Sequence, residues 1–241
     1  MPDLSSSPSQ KTQNFQPLVS IIERAQNSYA EILREVHAGG GLRLDPYVRY
    51  LSMHYHLTSE VEQHFLLVVS HPSLVRRRRL RNFLNERAID KASHFDLVKN
   101  DLRNLAADPL KIPVDGELWR AYFTPVAQSR PFARLGAAAV LENLPIQGNS
   151  FGLNMIQGAT FLDRRNTSFI EKFFHTGTPL VAPTLQALRS VRLQKSEVAD
   201  CLEGAAKGAI LYLRMVAGVF LRDPLLQIFD LSDEQNPPES H

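Results

Sequence analysis

A predicted helix over residues 76–105 places ionisable side chains on its apolar side. Its apolar stripe consists of seven residues: Leu80, Phe83, Leu84, Phe95, Val98, Leu102 and Leu105. Arg87, Lys91 and His94 point in the same direction, with Asp90 at the edge. Buried charges without partners are costly, so such groups are paired, bound to a metal or at the wall of a cavity. The sequence therefore predicts a polar pocket here; alternatively, the charged groups reach the surface or pair along the helix.

A second buried carboxylate is expected in the predicted helix over residues 134–144. There, Leu135, Ala138, Ala139 and Glu142 share one face. Small neighbours let another helix approach closely, so we expect Glu142 to be buried. A buried glutamate needs a nearby cation or acquires a raised pKa.

Histidines are concentrated in another predicted helix, from Asp45 to about His71. Asp45 is expected to be its N-cap, followed by a proline in the first turn. His54 lies on the apolar side of this helix. Three residues follow one edge at i, i+4 spacing: His56, Glu60 and His64. Such a triplet can bind a metal, or it can form ordinary hydrogen-bonded pairs.

The remaining pattern is also helical. Apolar periodicity predicts further helices over residues 15–36, 115–129, 134–144, 150–161, 167–174 and 196–221. Pro183 is expected to begin one more, as a first-turn proline. Since no segment alternates apolar and polar residues, the sequence predicts an all-α fold, a single bundle of seven or eight helices.

Composition limits the partners that we expect. The chain of 241 residues has 27 basic and 25 acidic side chains, which gives no electrostatic reason to expect nucleic acid or a membrane surface as a partner. The four arginines of residues 76–79 are interpreted as the solvated first turns of a helix. Cys201, the only cysteine, allows no intramolecular disulfide and is expected to be a small buried hydrophobe.

The sequence also suggests how the chain is organised. We expect one helical domain over residues 13–229, with disordered tails at residues 1–12 and 230–241. The apolar stretch near the end of the chain is short and interrupted by Arg214, so a buried central helix is expected there. With no signal-peptide pattern, the expected location is cytoplasmic.

A series of short motifs resembles a known superfamily. In chain order they are HLT, HF, HPSL, LRNFL, HFD, LWRAYF, RPFARLGA, VLENL, NTSF and YLRM. Together they resemble the haem-oxygenase-like superfamily, and within it the non-haem diiron oxidases and their TenA and CADD-type relatives. The resemblance covers about residues 45–220. It implies a haem-oxygenase-like bundle.

The resemblance also implies a metal site. Iron-using members of that branch hold the metal with carboxylates and histidines from several helices, and they use dioxygen to oxidise a small amine, amino acid or fatty acid. The matching positions are His64, Asp90, His94, Glu142 and His175. The implied partners are therefore iron, dioxygen and a small-molecule substrate, and a homodimer is left open.

The chain departs from the pattern of that branch in two places. Lys91 stands where a carboxylate ligand is expected, and the turns after His175 hold Pro179 and Leu180 in place of ligands. A diiron site needs about six nitrogen and oxygen ligands, so an incomplete or mononuclear iron site is expected. The Lys91 ammonium could supply to Glu142 and Asp90 the positive charge that a metal would otherwise provide.

Two functions remain open from the sequence. The first is an oxidoreductase, an oxidase or oxygenase acting on a small substrate in a central cavity. In a metal-free form of this enzyme, Lys91 and Glu142 would act as general acid and base. The second is a degenerate member without a metal, which binds a small molecule or supports an active paralogue without catalysis.

Overall fold

A computed structural model describes residues 15–145, 156, 158–175 and 183–221, and this part of the chain is all-α, without strands. Its α-helices are α1 Gln16–Ala38, α2 Leu44–Thr58, α3 Val61–Ser70, α4 Arg78–Asn104, α5 Val114–Ser129, α6 Pro131–Asn143, α7 Ser168–His175, α8 Pro183–Arg189 and α9 Lys195–Leu221. A 3-10 turn, Pro72–Leu74, connects α3 to α4. The all-α prediction is confirmed, and Pro183 begins α8 as expected. Most of the predicted helix 150–161 and both predicted tails lie outside the described residues.

Helix α9 packs most extensively against α6, and the two backbones touch. A Cβ added at Gly204 would collide with the backbone carbonyl of Ala133, and one added at Gly136 would collide with the carbonyl of Cys201. Cys201 is buried, as predicted. The absence of side chains at these two glycines therefore sets how closely the two helices approach, and with it the position of α6 in the bundle.

Helix α9 also packs against α1, α2 and α5. In length and composition it is the one helix among the described residues that could cross a membrane. Most of its buried residues are small or apolar, and Arg214 forms an ion pair of 3.2 Å with Asp115 of α5. This packing agrees with the predicted buried central helix.

The predicted helix from Asp45 to His71 is interrupted in the structure. Thr58 Oγ1 donates a hydrogen bond of 2.7 Å to the carbonyl of His54, and Arg120 donates one of 3.1 Å to the carbonyl of His56. Because side chains satisfy these carbonyls, α2 ends at Thr58 and α3 begins at Val61. The prediction of one continuous helix was wrong, and so was the Asp45 cap, since α2 begins at Leu44.

The arginine run differs from its sequence interpretation at one position. Arg77 precedes α4 and binds both carboxylate oxygens of Glu197 on α9, at 2.8 and 2.7 Å. Its guanidinium also lies 4.9 Å from the ring centroid of Phe132. Arg77 therefore joins the start of α4 to α9 and α6, whereas a solvated side chain was predicted.

The far end of α4 positions α7. Asp101 is fully buried, and its two carboxylate oxygens accept hydrogen bonds from the backbone N–H groups of Ser168 (3.2 Å) and Phe169 (2.8 Å). These N–H groups lie in the first turn of α7, where a carboxylate stabilises unpaired donors. The contact holds Phe169 and Phe173 of α7 against the centre of the bundle.

Candidate small-molecule site

A cavity of about 290 Å³ lies at the centre of the bundle. Its apolar wall includes Phe65, Trp119, Leu141, Phe169 and Phe173. Its polar wall is formed by His54, Arg87, Lys91, His94, Arg134 and Glu142. Pockets for drug-sized ligands usually span about 300–1,000 Å³, so this cavity suits a smaller organic molecule.

Glu142 is the anion at the centre of the polar wall. Arg87 Nη2 donates to Glu142 Oε1 at 2.8 Å, and the backbone N–H of Thr184 donates to Oε2 at 3.1 Å. Burial disfavours the charged form, but the Lys91 and Arg87 charges outweigh it and lower the pKa of Glu142. The expected cation beside a buried Glu142 is therefore present, and Arg87 is its closest partner.

Arg87 also holds Asp90. Its Nη1 donates to Asp90 Oδ2 at 2.8 Å, one turn along α4, and Lys172 of α7 lies 3.5 Å from the other Asp90 oxygen. The sequence analysis left open whether the charged groups of α4 line a pocket or pair along the helix. Arg87 does both, since it pairs with Asp90 on α4 and with Glu142 of α6 at the cavity. Asp90 is about one-third exposed. It lies beside the cavity, and Arg87 connects it to Glu142.

Lys91 presents its amine to the cavity. Its Nζ lies 3.8 Å from Glu142 Oε1, and the side chain is 17% exposed. Burial lowers the pKa of Lys91, Glu142 opposes that shift, and the Arg87 charge adds to it. The amine is therefore easier to deprotonate than that of a solvated lysine.

Arg134 brings a further cation into the same cavity. It is 4% exposed, and its Nε donates a hydrogen bond of 3.4 Å to His64 Nδ1. Its guanidinium lies 5.6 Å from the ring centroid of Phe65 and 5.9 Å from that of Phe123. Nη1 is buried without a hydrogen-bond partner among the described residues.

The charge of Arg134 is thus incompletely balanced. Burial lowers its pKa to about 10, and the Glu142 charge opposes that shift, so the guanidinium remains protonated at neutral pH. Within the described ranges no carboxylate lies within ion-pair distance of Arg134. A buried cation at the wall of the cavity therefore has a hydrogen-bond donor that the described residues do not use.

The buried histidines are neutral at neutral pH. Burial lowers the pKa of His54, His64 and His94 to about 3, and nearby charged or imidazole groups reinforce the shift. His54 Nε2 shares a hydrogen bond of 3.1 Å with the Tyr212 hydroxyl. His94 Nε2 is buried without a hydrogen-bond partner in the described structure, and His94 lines the cavity.

These histidines predict acid sensitivity. An unfolded histidine has a pKa of about 6.5, so below that pH the unfolded chain binds protons that the folded chain does not. We expect the free energy of unfolding to fall by about 2 kcal/mol per histidine between neutral pH and about pH 5. Asp101 partly offsets this loss because burial raises its pKa to about 6, and the folded chain then binds its proton first.

Urea unfolding at the two pH values measures this effect. The variant His94→Gln should lose about 2 kcal/mol less than the wild type on acidification, since it lacks one of the three groups. An equal loss in the two proteins would show that His94 is protonated normally in the folded state.

The structure brings several predicted site residues together. Lys91, His94 and Glu142 line the same cavity, while His64 contacts Arg134 behind its wall. The predicted triplet is divided: His64 Nε2 stays 3.8 Å from Glu60 Oε2, whereas His56 Nε2 is hydrogen bonded to the carbonyl of Leu110 at 2.7 Å. The side chain of His175, the remaining predicted ligand, lies outside the described residues.

The described residues do not fit the iron site that the resemblance implied. Arg87 and Thr184 already bind the oxygens of Glu142, and Lys91 and Arg134 add positive charge to the same space. A divalent cation there would face three protein cations. Among the side chains that the structure describes, no group of three or more His, Cys, Asp or Glu could hold a metal ion. The iron prediction stays a prediction.

Sequence reasoning missed two contributors to this site. Arg134, Ala138 and Glu142 follow at i, i+4 and i+8, so the arginine shares the inward face of the glutamate. That spacing could have placed Arg134 at the site from the sequence alone. The backbone N–H of Thr184 gave none, because its contact depends on where α8 begins relative to α6.

A solved structure has a fold similar to this helical bundle. The chain is similar to a solved domain of unknown function with a heme oxygenase-like fold from Shewanella denitrificans OS217, at 17% identity and a TM-score of 0.64 over 99% of each chain. No family model matches the chain. No curated protein matches it either. The predicted haem-oxygenase-like fold is therefore confirmed, as a statement about fold alone.

Proposed function

We propose that the central cavity binds a small organic anion, a carboxylate with an apolar body, and that it does so without a metal. The observation that carries this proposal is Arg134, a buried guanidinium with an unpartnered Nη1. Such a group costs free energy in the ligand-free protein. A ligand carboxylate would complete its hydrogen bonds in the paired geometry that guanidinium groups favour.

The apolar wall of the cavity supports the proposed apolar body of the ligand. Phe65 and Trp119 face the cavity, with Leu141, from helices α3, α5 and α6. They offer an aromatic or aliphatic body a dry surface, which would strengthen the charged contact at Arg134 by excluding water. The imidazole of His94 is part of the polar wall of the same cavity.

Thermal unfolding with matched ligands tests this proposal. Phenylpropionate should raise the melting temperature of the wild type, whereas phenylpropionamide, which has the same body without the charge, should not. Arg134→Gln should remove the difference between the two compounds, and Arg34→Gln, at an exposed arginine, should keep it. Equal shifts with acid and amide, or an unchanged preference in Arg134→Gln, would argue against an anion site.

Arg134 is expected to favour carboxylate binding while lowering the stability of the ligand-free protein. Because no described carboxylate lies within ion-pair distance of Arg134, Arg134→Met should raise the free energy of unfolding of the ligand-free protein by about 1 kcal/mol or more while abolishing carboxylate binding. Chemical denaturation of both proteins, with and without phenylpropionate, measures both effects. A less stable Arg134→Met variant would mean that the guanidinium is structurally satisfied.

Metal analysis separates this proposal from the iron-dependent oxidase. Protein produced with added iron should contain much less than one iron per chain, and Glu142→Gln should not change that content. One iron per chain, lost in both His94→Ala and Glu142→Ala, would favour the oxidase.

A further inference from the structure

Lys91 brings a primary amine to the wall of the cavity. Its Nζ lies 3.8 Å from Glu142 Oε1, beyond hydrogen-bonding distance. The shorter contacts of Glu142 are made by Arg87 at 2.8 Å and by the Thr184 N–H at 3.1 Å. The lysine amine is therefore a secondary partner of this carboxylate, and it lines the cavity.

The surroundings of Lys91 favour a reactive amine. Burial lowers its pKa, and the Arg87 and Arg134 charges add to that shift against the opposing effect of Glu142. Desolvated lysines beside other cations are the ones that act as nucleophiles toward carbonyl groups, because a larger fraction of the amine is unprotonated. Arg134 lines the same cavity, so a carboxylate and a carbonyl of one small ligand can be met by different groups.

We propose that Lys91 forms an imine with the carbonyl carbon of an alpha-keto acid whose carboxylate is held by Arg134. This inference rests on the proposed function, since it identifies the bound anion as an alpha-keto acid and adds a covalent step. An alpha-keto acid places its carbonyl next to its carboxylate, and its side chain would occupy the apolar wall.

The step balances without an oxidant or reductant. The Lys91 ammonium releases a proton to water, and the free amine forms a C–N bond to the carbonyl carbon while the C=O π bond breaks. A proton passes from the nitrogen to the oxygen, and the resulting hydroxyl takes up a proton from water and leaves as water, which yields a protonated imine. The products are one iminium and one water from one ammonium and one ketone.

Borohydride trapping tests this step. The full-length protein is incubated with phenylpyruvate, reduced with sodium borohydride and measured by intact mass and peptide mapping. We expect a mass increase equal to phenylpyruvate minus one oxygen atom, located at Lys91. Lys91→Arg keeps the charge but should lose this adduct, whereas Lys172→Arg, at the exposed lysine beside Asp90, should retain it.

Comparing a charged with a neutral carbonyl compound tests whether the substrate is an alpha-keto acid. Arg134→Gln should reduce trapping of phenylpyruvate about tenfold, but it should reduce trapping of the neutral phenylacetaldehyde little. In the wild type, phenylpropionate should protect Lys91 from phenylpyruvate, which tests the site without any variant.

The possible failures are distinguishable. Phenylpropionate binding without a Lys91 adduct would overturn the imine and leave the anion site intact. An adduct spread evenly over several lysines would also overturn it. A Lys91 adduct that is indifferent to Arg134→Gln and to phenylpropionate would overturn the assignment to alpha-keto acids, and with it the proposed anion site.

Discussion

Replacing Glu142 with glutamine should lower the free energy of unfolding by about 3–5 kcal/mol, because it removes the buried anion that Arg87 and Lys91 share. Glutamine has nearly the same volume but a single acceptor oxygen, so it can accept from the Thr184 N–H or from Arg87 but not from both. The loss therefore reports the charge together with one hydrogen bond. Without it, Asp90 is the remaining carboxylate partner of Arg87 among the described residues.

Urea denaturation at neutral pH measures this loss. Glu31→Gln is a matched control, since Glu31 pairs with Arg34 at 3.2 Å on the surface and its side chain is 63% exposed. That change should cost less than about 1 kcal/mol. Removing the facing charge as well, in Lys91→Met/Glu142→Gln, should recover part of the loss. A decrease for Glu142→Gln as small as that of the control would mean that the cations near Glu142 are solvated.

Replacing Gly204 with alanine should cost about 3 kcal/mol or more, because the new Cβ would overlap the backbone carbonyl of Ala133. A backbone group cannot rotate away as a side chain can, so α6 and α9 must separate. Since α6 carries both Arg134 and Glu142, the variant should also weaken carboxylate binding.

Two other glycines calibrate this result. At Gly208 the new Cβ would lie 2.7 Å from the Cβ of Ala137, so a smaller cost is expected. At Gly158 none of the described residues lies within 4 Å, so alanine there should be nearly neutral. Thermal and urea unfolding of the three variants should rank them Gly204, Gly208, Gly158 in order of decreasing loss. A stable Gly204→Ala protein would contradict the close contact of α6 with α9.

Much of the site follows from helical periodicity. The spacing that put Lys91 and His94 on the apolar stripe of α4 is local, and it correctly placed both at the central cavity. Glu142 was placed by its small neighbours in the same way. The fold predicted from the short-motif resemblance is confirmed by the likeness to a solved structure.

The rest depends on contacts between distant segments. The break of α2 at Thr58 is reinforced by Arg120, which is sixty-four positions from His56, and no local pattern reveals it. The partner of Glu142 also depends on which of the two α4 cations reaches it, and at 2.8 Å Arg87 lies closer than Lys91. The metal ligands implied by the resemblance also depend on distant contacts. Cations from other segments lie beside them, and such cations oppose metal binding.

A crystal structure of the protein with bound phenylpropionate is the most direct measurement of what the cavity does. The carboxylate of the ligand should lie within hydrogen-bonding distance of Arg134 Nη1, with its ring against Phe65 and Trp119. A structure in which Arg134 is bound to a carboxylate of the protein itself, with phenylpropionate elsewhere, would contradict the anion site.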